Sequence, residues 1–205
     1  MSTIPKIVLG SHSAGMLMTP EEFDAVDEYD EEYRYELIHG VLVVSPLPLE
    51  SEVDPNEELG RMLRNYQEQH PQGQALDATL PERYIRTPDS RRRADRVIWA
   101  GLGRMPNPEV DSPTMAVEFV SAAKRDRRRD YVEKRNEYRE AGVQEYWIVD
   151  RFQRNMTVYI NEPAGTREVV IREGDVYRTP LLPGFELTLA RLLAVADKWH
   201  GQDTQ

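Results

Sequence analysis

The sequence predicts an α/β fold, a central mixed sheet flanked by helices, and three observations carry that prediction. Met115–Val120 and Glu145–Asp150 are short runs rich in apolar residues on both faces, the pattern of buried central strands. Leu59, Met62, Leu63 and Tyr66, and later Leu189, Leu192, Leu193, Ala196 and Trp199, recur at helical spacing. Helix-like and strand-like segments alternate along the chain, with no repeat and no low-complexity linker, as expected of a sheet covered by helices.

Taken in order, residues 1–18 show no period and read as an irregular N-terminal segment. Residues 19–199 read as one domain, and 200–205 as a tail. Thr19-Pro20-Glu21-Glu22 opens a helix: Thr19 caps, Pro20 suits the first turn, and Glu22 completes a capping box. That helix is expected to run toward Tyr29. Residues 33–46 read as two strands about a His39-Gly40 turn. Asp54-Pro55 reads as the start of the second helix, which His70-Pro71 and Gly73 end. Short strands are expected around 74–79 and 83–87, and Arg96-Val97-Ile98-Trp99 is a further apolar run. Residues 103–113 hold Gly103, Pro106, Pro108 and Pro113 and read as a loop. A helix is expected over about 127–141, closed by Gly142. Peripheral strands are expected at 155–160, 166–171 and 174–179, and a last helix at about 188–199.

Composition narrows the chemistry. The chain of 205 residues has no cysteine, which excludes disulfides and thiolate sites, and no apolar run of membrane-spanning length. No signal-peptide pattern opens it, so the expected location is the cytoplasm. The four histidines (His12, His39, His70, His200) show no metal-ligand spacing. The net charge of −10 argues against steering to nucleic acid by the overall field. Charge is uneven, however. Residues 21–36 are acidic, while Arg91, Arg92, Arg93 and Arg96, and the run from Lys124 through Arg127 and Arg128 to Arg129, are basic. The basic runs are either solvated faces or phosphate contacts. Tyr84, Trp99 and Tyr131 either line a nucleic-acid groove or pack in the core.

Three charged residues fall where apolar ones belong. Glu118 interrupts Met115–Val120, and burying a lone carboxylate costs several kcal/mol, so it needs a base, backbone donors or a metal, unless it faces solvent at a sheet edge. Asp95 opens the run 97–99, where an aspartate also serves to cap a turn. Lys134 shares an arc of roughly 80° with Tyr131, Tyr138 and Ala141 at the helical 100° per residue, so it is expected to point inward. The alternative is a surface pair with Asp130 one turn earlier, worth about 0.2–0.5 kcal/mol, with the lysine stem snorkelling to water. Glu36, between Tyr35 and Leu37, is either an exposed alternation residue or a further carboxylate of the same site. Pro88-Asp89 lies in a polar loop with no apolar strand directly after it. Strand-borne carboxylates suit Mg²⁺, a hard ion that activates phosphodiesters for hydrolysis, and a nearby lysine positions water and neutralises developing charge.

The segments YELIHGVLVVSP (35–46), ADRVIW, AVEFVS (116–121), DYVEKRNEYREAGVQEYWIVD (130–150) and LLPGFELTLARLL (181–193) occur in this order. With their spacing, they resemble the Uma-type endonuclease family of the PD-(D/E)XK (restriction-endonuclease-like) superfamily over roughly residues 18–196. The resemblance implies a restriction-endonuclease-like core. Asp95 matches the motif aspartate, Glu118 the second acidic ligand, Lys134 the catalytic lysine displaced onto the following helix, and Glu36 a glutamate that completes the metal site. It further implies Mg²⁺, with Mn²⁺ as a substitute, DNA as substrate, and a homodimer. The chain departs from the pattern at Ala94, where proline is usual, at Arg96, where an apolar residue is usual, and at residues 121–123. It also lacks a histidine between Glu50 and Asn56. Three function classes follow: a metal-dependent nuclease of DNA, a nuclease-fold DNA-binding module without turnover, and a protein-interaction component using the acidic 21–36 segment.

Overall fold

The structure, a computed structural model, describes residues 7–121 and 129–199. The fold is mixed α/β, with an eight-stranded mixed sheet and flanking helices. The chain divides into two compact units. One comprises the chain up to Leu47 with Arg86–Arg93, the other Pro48–Ile85 with the chain from Ala94 onward.

In the first unit, β1 (Val8–Leu9) pairs in parallel with β2 (Glu28–Tyr29). The segment read as irregular therefore contributes a strand, and Leu17 adds a bridge to Val41. Helix α1 (Pro20–Asp24) has the predicted capping box: Glu22 N–H donates to Thr19 Oγ1 (3.1 Å) and Thr19 N–H to Glu22 Oε2 (2.8 Å). It ends at Asp24, short of Tyr29. Phe23 is its buried residue, and the acidic stretch after it offers no further apolar turn to pack. Strands β3 (Tyr33–Ile38) and β4 (Val41–Pro46) form the predicted hairpin. Both turn residues, His39 (φ 47°) and Gly40 (φ 75°), are left-handed, the conformation a two-residue turn needs to match strand twist.

In the second unit, α2 (Glu50–Gln69) starts before the predicted Asp54-Pro55 cap. Glu52 Oε2 receives the Leu49 N–H at 3.3 Å, and Asp54 is used elsewhere, accepting the Trp199 indole N–H at 3.0 Å. Pro55 is thus inside the helix. The two strands expected over 74–87 are one strand, β5 (Leu76–Arg86), bent at Glu82, whose φ of 52° breaks the regular pleat that sequence spacing reads as a gap. Strand β5 pairs with β6 (Arg91–Ala100), which starts earlier than its apolar run, its first three residues counting with the first unit. Then follow β7 (Met115–Phe119), a π-helical turn (Arg129–Lys134) leading into α3 (Arg135–Glu140), and β8 (Glu145–Asp150). Residues 127 and 128 of the predicted helix lie outside the described residues. Strands β9 (Asn155–Glu162) and β10 (Gly165–Arg172) form a hairpin. Strand β11 (Val176–Tyr177) is shorter than expected and pairs with β12 (Leu187–Thr188), before α4 (Leu189–Asp197).

The order β10-β9-β8-β7-β6 is antiparallel except between β7 and β8, which run parallel around the crossover that holds α3. Alternation along the central strands makes two cores. Ile98, Val117 and Trp147 face Leu59 and Leu63 of α2 and Leu192 and Leu193 of α4. Val97, Ala116, Val120 and Ile148 pack with Tyr138 of α3, Val143 and Tyr146. Glu118 shares the parity of Ala116 and Val120, so the strand delivers it to the α3 side.

Candidate active site

Every residue of β7 is buried, Glu118 included. Its Oε1 lies 2.8 Å from Lys134 Nζ, with both side chains 4% exposed. The surface-lysine and solvent-facing-glutamate alternatives are therefore both excluded. Tyr138 Oη donates to the same Oε1 at 2.8 Å. The helical spacing explains this convergence, because Lys134 and Tyr138 are four residues apart and share the inward face. The π-helical turn that ends at Lys134 sets where that face begins, a local insertion common at functional sites.

Asp95 is buried on β6, and its Oδ2 accepts the backbone N–H of Phe119 at 2.7 Å. The ladder pairs Arg96 with Val117 and Val97 with Ala116. One further step of that antiparallel register sets Asp95 across from Glu118, with both side chains on the α3 face. The backbone of Asp95 is held from the opposite face, where Asn56 Nδ2 donates to its carbonyl at 2.8 Å. Arg96 Nε in turn donates to Asn56 Oδ1 at 2.7 Å, and Nη2 lies 3.3 Å from Glu57 Oε1. Arg96, a departure from the family pattern, thus packs across α2. It lies so close that a Cβ on Gly60 would stand 2.6–2.7 Å from its guanidinium. Burial lowers the pKa of Arg96, and Glu57 works against that shift.

Glu118 and Lys134 thus meet in the second unit, and Asp95 stands across the ladder from Glu118. Glu36 belongs to the first. It is buried rather than exposed, and its Oε1 accepts the Arg93 N–H at 2.9 Å. Among the described residues no group of three or more His, Asp or Glu stands ready to hold a metal ion. Two hard carboxylates on one sheet face are nonetheless the donor chemistry that Mg²⁺ takes, with water completing its shell.

The basic runs fare differently. Arg91 is buried, gripping Asp24 through Nε and Nη2 at 2.8–3.0 Å and donating to the Thr87 and Ser90 carbonyls. Arg92 is wholly buried and Arg93 half-buried. The solvated reading of Arg91 and Arg92 is thereby corrected, and neither offers a surface contact to phosphate. They alternate into a strand that the sequence pattern starts only at Arg96. Lys124, Arg127 and Arg128 lie outside the described residues. Trp99 is core, its indole N–H bonded to the Asp111 carbonyl at 2.9 Å, while Tyr84 and Tyr131 are half-buried. Asp89 braces a turn, 2.7 Å from His39 Nδ1 and accepting from Thr87 and Ser90; the His39 contact leads in lowering its pKa. Tyr138 and Asn56 are the site-forming residues that sequence reasoning missed. Tyr138 was legible only as part of the Lys134 stripe, and Asn56 as a polar residue three before Leu59 on the apolar face of α2.

The Uma2 family, described as "putative restriction endonuclease", matches residues 20–190. The chain belongs to the Uma2 family. Among solved structures, it is similar to a "putative nuclease belonging to DUF820" from Anabaena variabilis ATCC 29413. That match covers 87% of this chain and 99% of the other, with a TM-score of 0.68 and 15% sequence identity. At that identity the likeness speaks for the fold. No curated protein matches the chain. Uma2 membership and the nuclease-like fold together support a nuclease function.

Proposed function

We propose that this chain is a divalent-metal-dependent endonuclease that hydrolyses phosphodiester bonds of DNA, with Asp95 and Glu118 as metal ligands and Lys134 as the catalytic base-side cation. The observation that carries the reading is the buried Glu118–Lys134 pair on the sheet face that Asp95 shares. Mg²⁺ is the fitting ion and Mn²⁺ its substitute; when bound, such an ion supplies Lewis-acid polarisation of the scissile phosphate. Glu118 and Asp95 supply hard oxygen donors. The Phe119 N–H and the Asn56–Arg96 link fix the rotation and backbone of Asp95. Lys134 holds an ammonium beside the ligand carboxylate, where it orients an attacking water and neutralises charge gathering on the phosphoryl oxygens. Lys124, Arg127 and Arg128, which follow β7 in sequence, are proposed as phosphate contacts.

Incubating supercoiled plasmid with the protein and Mg²⁺ or Mn²⁺ tests the reading. Nicking and linearisation are expected, and are expected to vanish in Asp95→Ala, Glu118→Gln and Lys134→Met. Wild-type cleavage no greater than that of Asp95→Ala would sink it. The departures from the family pattern beside Asp95, at Ala94 and Arg96, favour a second reading, a nuclease-fold binding module without turnover. Salt-sensitive duplex binding without cleavage would point there.

A further inference from the structure

Resting on the nuclease reading, we infer that Tyr138 is a positioning residue of this site, holding the Glu118 carboxylate in the orientation in which it serves a metal. Two donors converge on Glu118 Oε1: Lys134 Nζ at 2.8 Å and Tyr138 Oη at 2.8 Å. They differ in stiffness. The lysine ammonium ends a flexible four-carbon stem and carries three rotatable donors. The phenol is rigid beyond two torsions. Tyr138 is wholly buried and stands edge-on to Tyr146, with ring centroids 5.0 Å apart and planes at 81°. Its hydroxyl is desolvated, so a donor bond there is costly to lose and strongly directional. Tyr138 therefore fixes the rotation of the carboxylate whether or not Lys134 stays on Oε1, and it leaves the direction of Oε2 defined. Partners of this kind behind a metal ligand set affinity as well as geometry, typically by about 10–100-fold.

The test uses Tyr138→Phe, which keeps the ring and its packing and removes only the hydroxyl. Calorimetric titration with Mn²⁺ alone is expected to give an affinity at least about 10-fold weaker than wild type. With DNA duplex and saturating Mn²⁺, kcat is expected to fall about 10-fold while KM for the duplex stays unchanged, because a wholly buried side chain does not touch the substrate. Val143→Ala, in the same core, controls for packing and is expected to lower Tm without moving Mn²⁺ affinity. If wild type binds Mn²⁺ and Tyr138→Phe binds it equally well, the positioning role is overturned and the nuclease reading stands. If Val143→Ala weakens Mn²⁺ binding as much as Tyr138→Phe, the effect is one of packing and the role is again overturned. If wild type itself binds no Mn²⁺, the metal-dependent reading fails and the inference falls with it.

Discussion

At the scale of single residues, the site is built around one buried charge pair. Glu118 and Lys134 offset each other's desolvation, and removing one partner of such a pair leaves an uncompensated buried charge. Lys134→Ala is therefore expected to destabilise the fold by about 3–5 kcal/mol, read in urea melts, as well as to abolish cleavage. Lys134→Met, which keeps the stem, is the milder variant for enzymology. A second residue-scale prediction concerns Asp111, which braces the 103–113 loop. Its carboxylate takes both Nη atoms of Arg104 at 2.7 Å and the Asn107 N–H at 2.7 Å. The Arg104 bond, followed by the Asn107 backbone donor, lowers its pKa to about 2. Because the folded value is depressed, the contribution of this carboxylate is complete above the ordinary aspartate range. It is lost as pH falls from about 4 toward 2. A carboxyl ¹³C titration of Asp111 is expected to show a midpoint near 2; a midpoint near 4 would contradict the brace. What sequence conveyed at this scale was position. Glu118 was anomalous because its strand neighbours were apolar, whereas Tyr138 looked unremarkable, since an aromatic on a helix face packs far more often than it bonds a ligand.

At the scale of elements, the second helix shows why boundaries are harder to read than cores. Its apolar stripe gave Leu59, Leu63 and Tyr66 as buried. The Asp54-Pro55 signal placed its start wrongly, because Asp54 is committed to Trp199, a partner that local sequence does not reveal. The face of α2 toward β6 is tight at Gly60, where Arg96 lies across the helix. Alanine ordinarily stabilises a helix over glycine by about 1 kcal/mol. Here Gly60→Ala is expected to destabilise by on the order of 1–3 kcal/mol through overpacking, checked by thermal melts. A rise in Tm would mean that Arg96 moves aside without cost. The bend in β5 is the strand counterpart: the residues around Glu82 read as a break between two strands, and neighbouring β6 supplies the pairing that joins them.

On the scale of the whole molecule, a metal that binds only the native state raises stability by mass action. At free Mn²⁺ about 100 times its Kd, the gain is about 2.7 kcal/mol. For a chain of this length that corresponds to a Tm increase of roughly 5–10 °C. The increase is expected to reverse on chelation and to be absent from Asp95→Ala; an equal increase in Asp95→Ala would place the ion elsewhere. No helix among the described residues is long and apolar enough to cross a membrane. The net charge of −10 means that any hold on DNA depends on local cations rather than on the overall field. Burial of Arg91 and Arg92 leaves the segment after β7 as the basic run to test.

The sequence by itself determined the α/β class, the central strands β7 and β8, the capping box and hairpin of the first unit, and the family. Each depends on periodicity, on short-range chemistry or on motif order, all carried by neighbouring residues. Only the tertiary structure decided that Lys134 and Tyr138 share one oxygen of Glu118, that Asp95 is held by Phe119 and Asn56, and that Arg91, Arg92 and Arg96 are interior. Those facts depend on strand register and helix packing, which join residues far apart in the chain. The energy of a buried charge is set by whatever partner the fold brings to it, and local sequence does not record that partner.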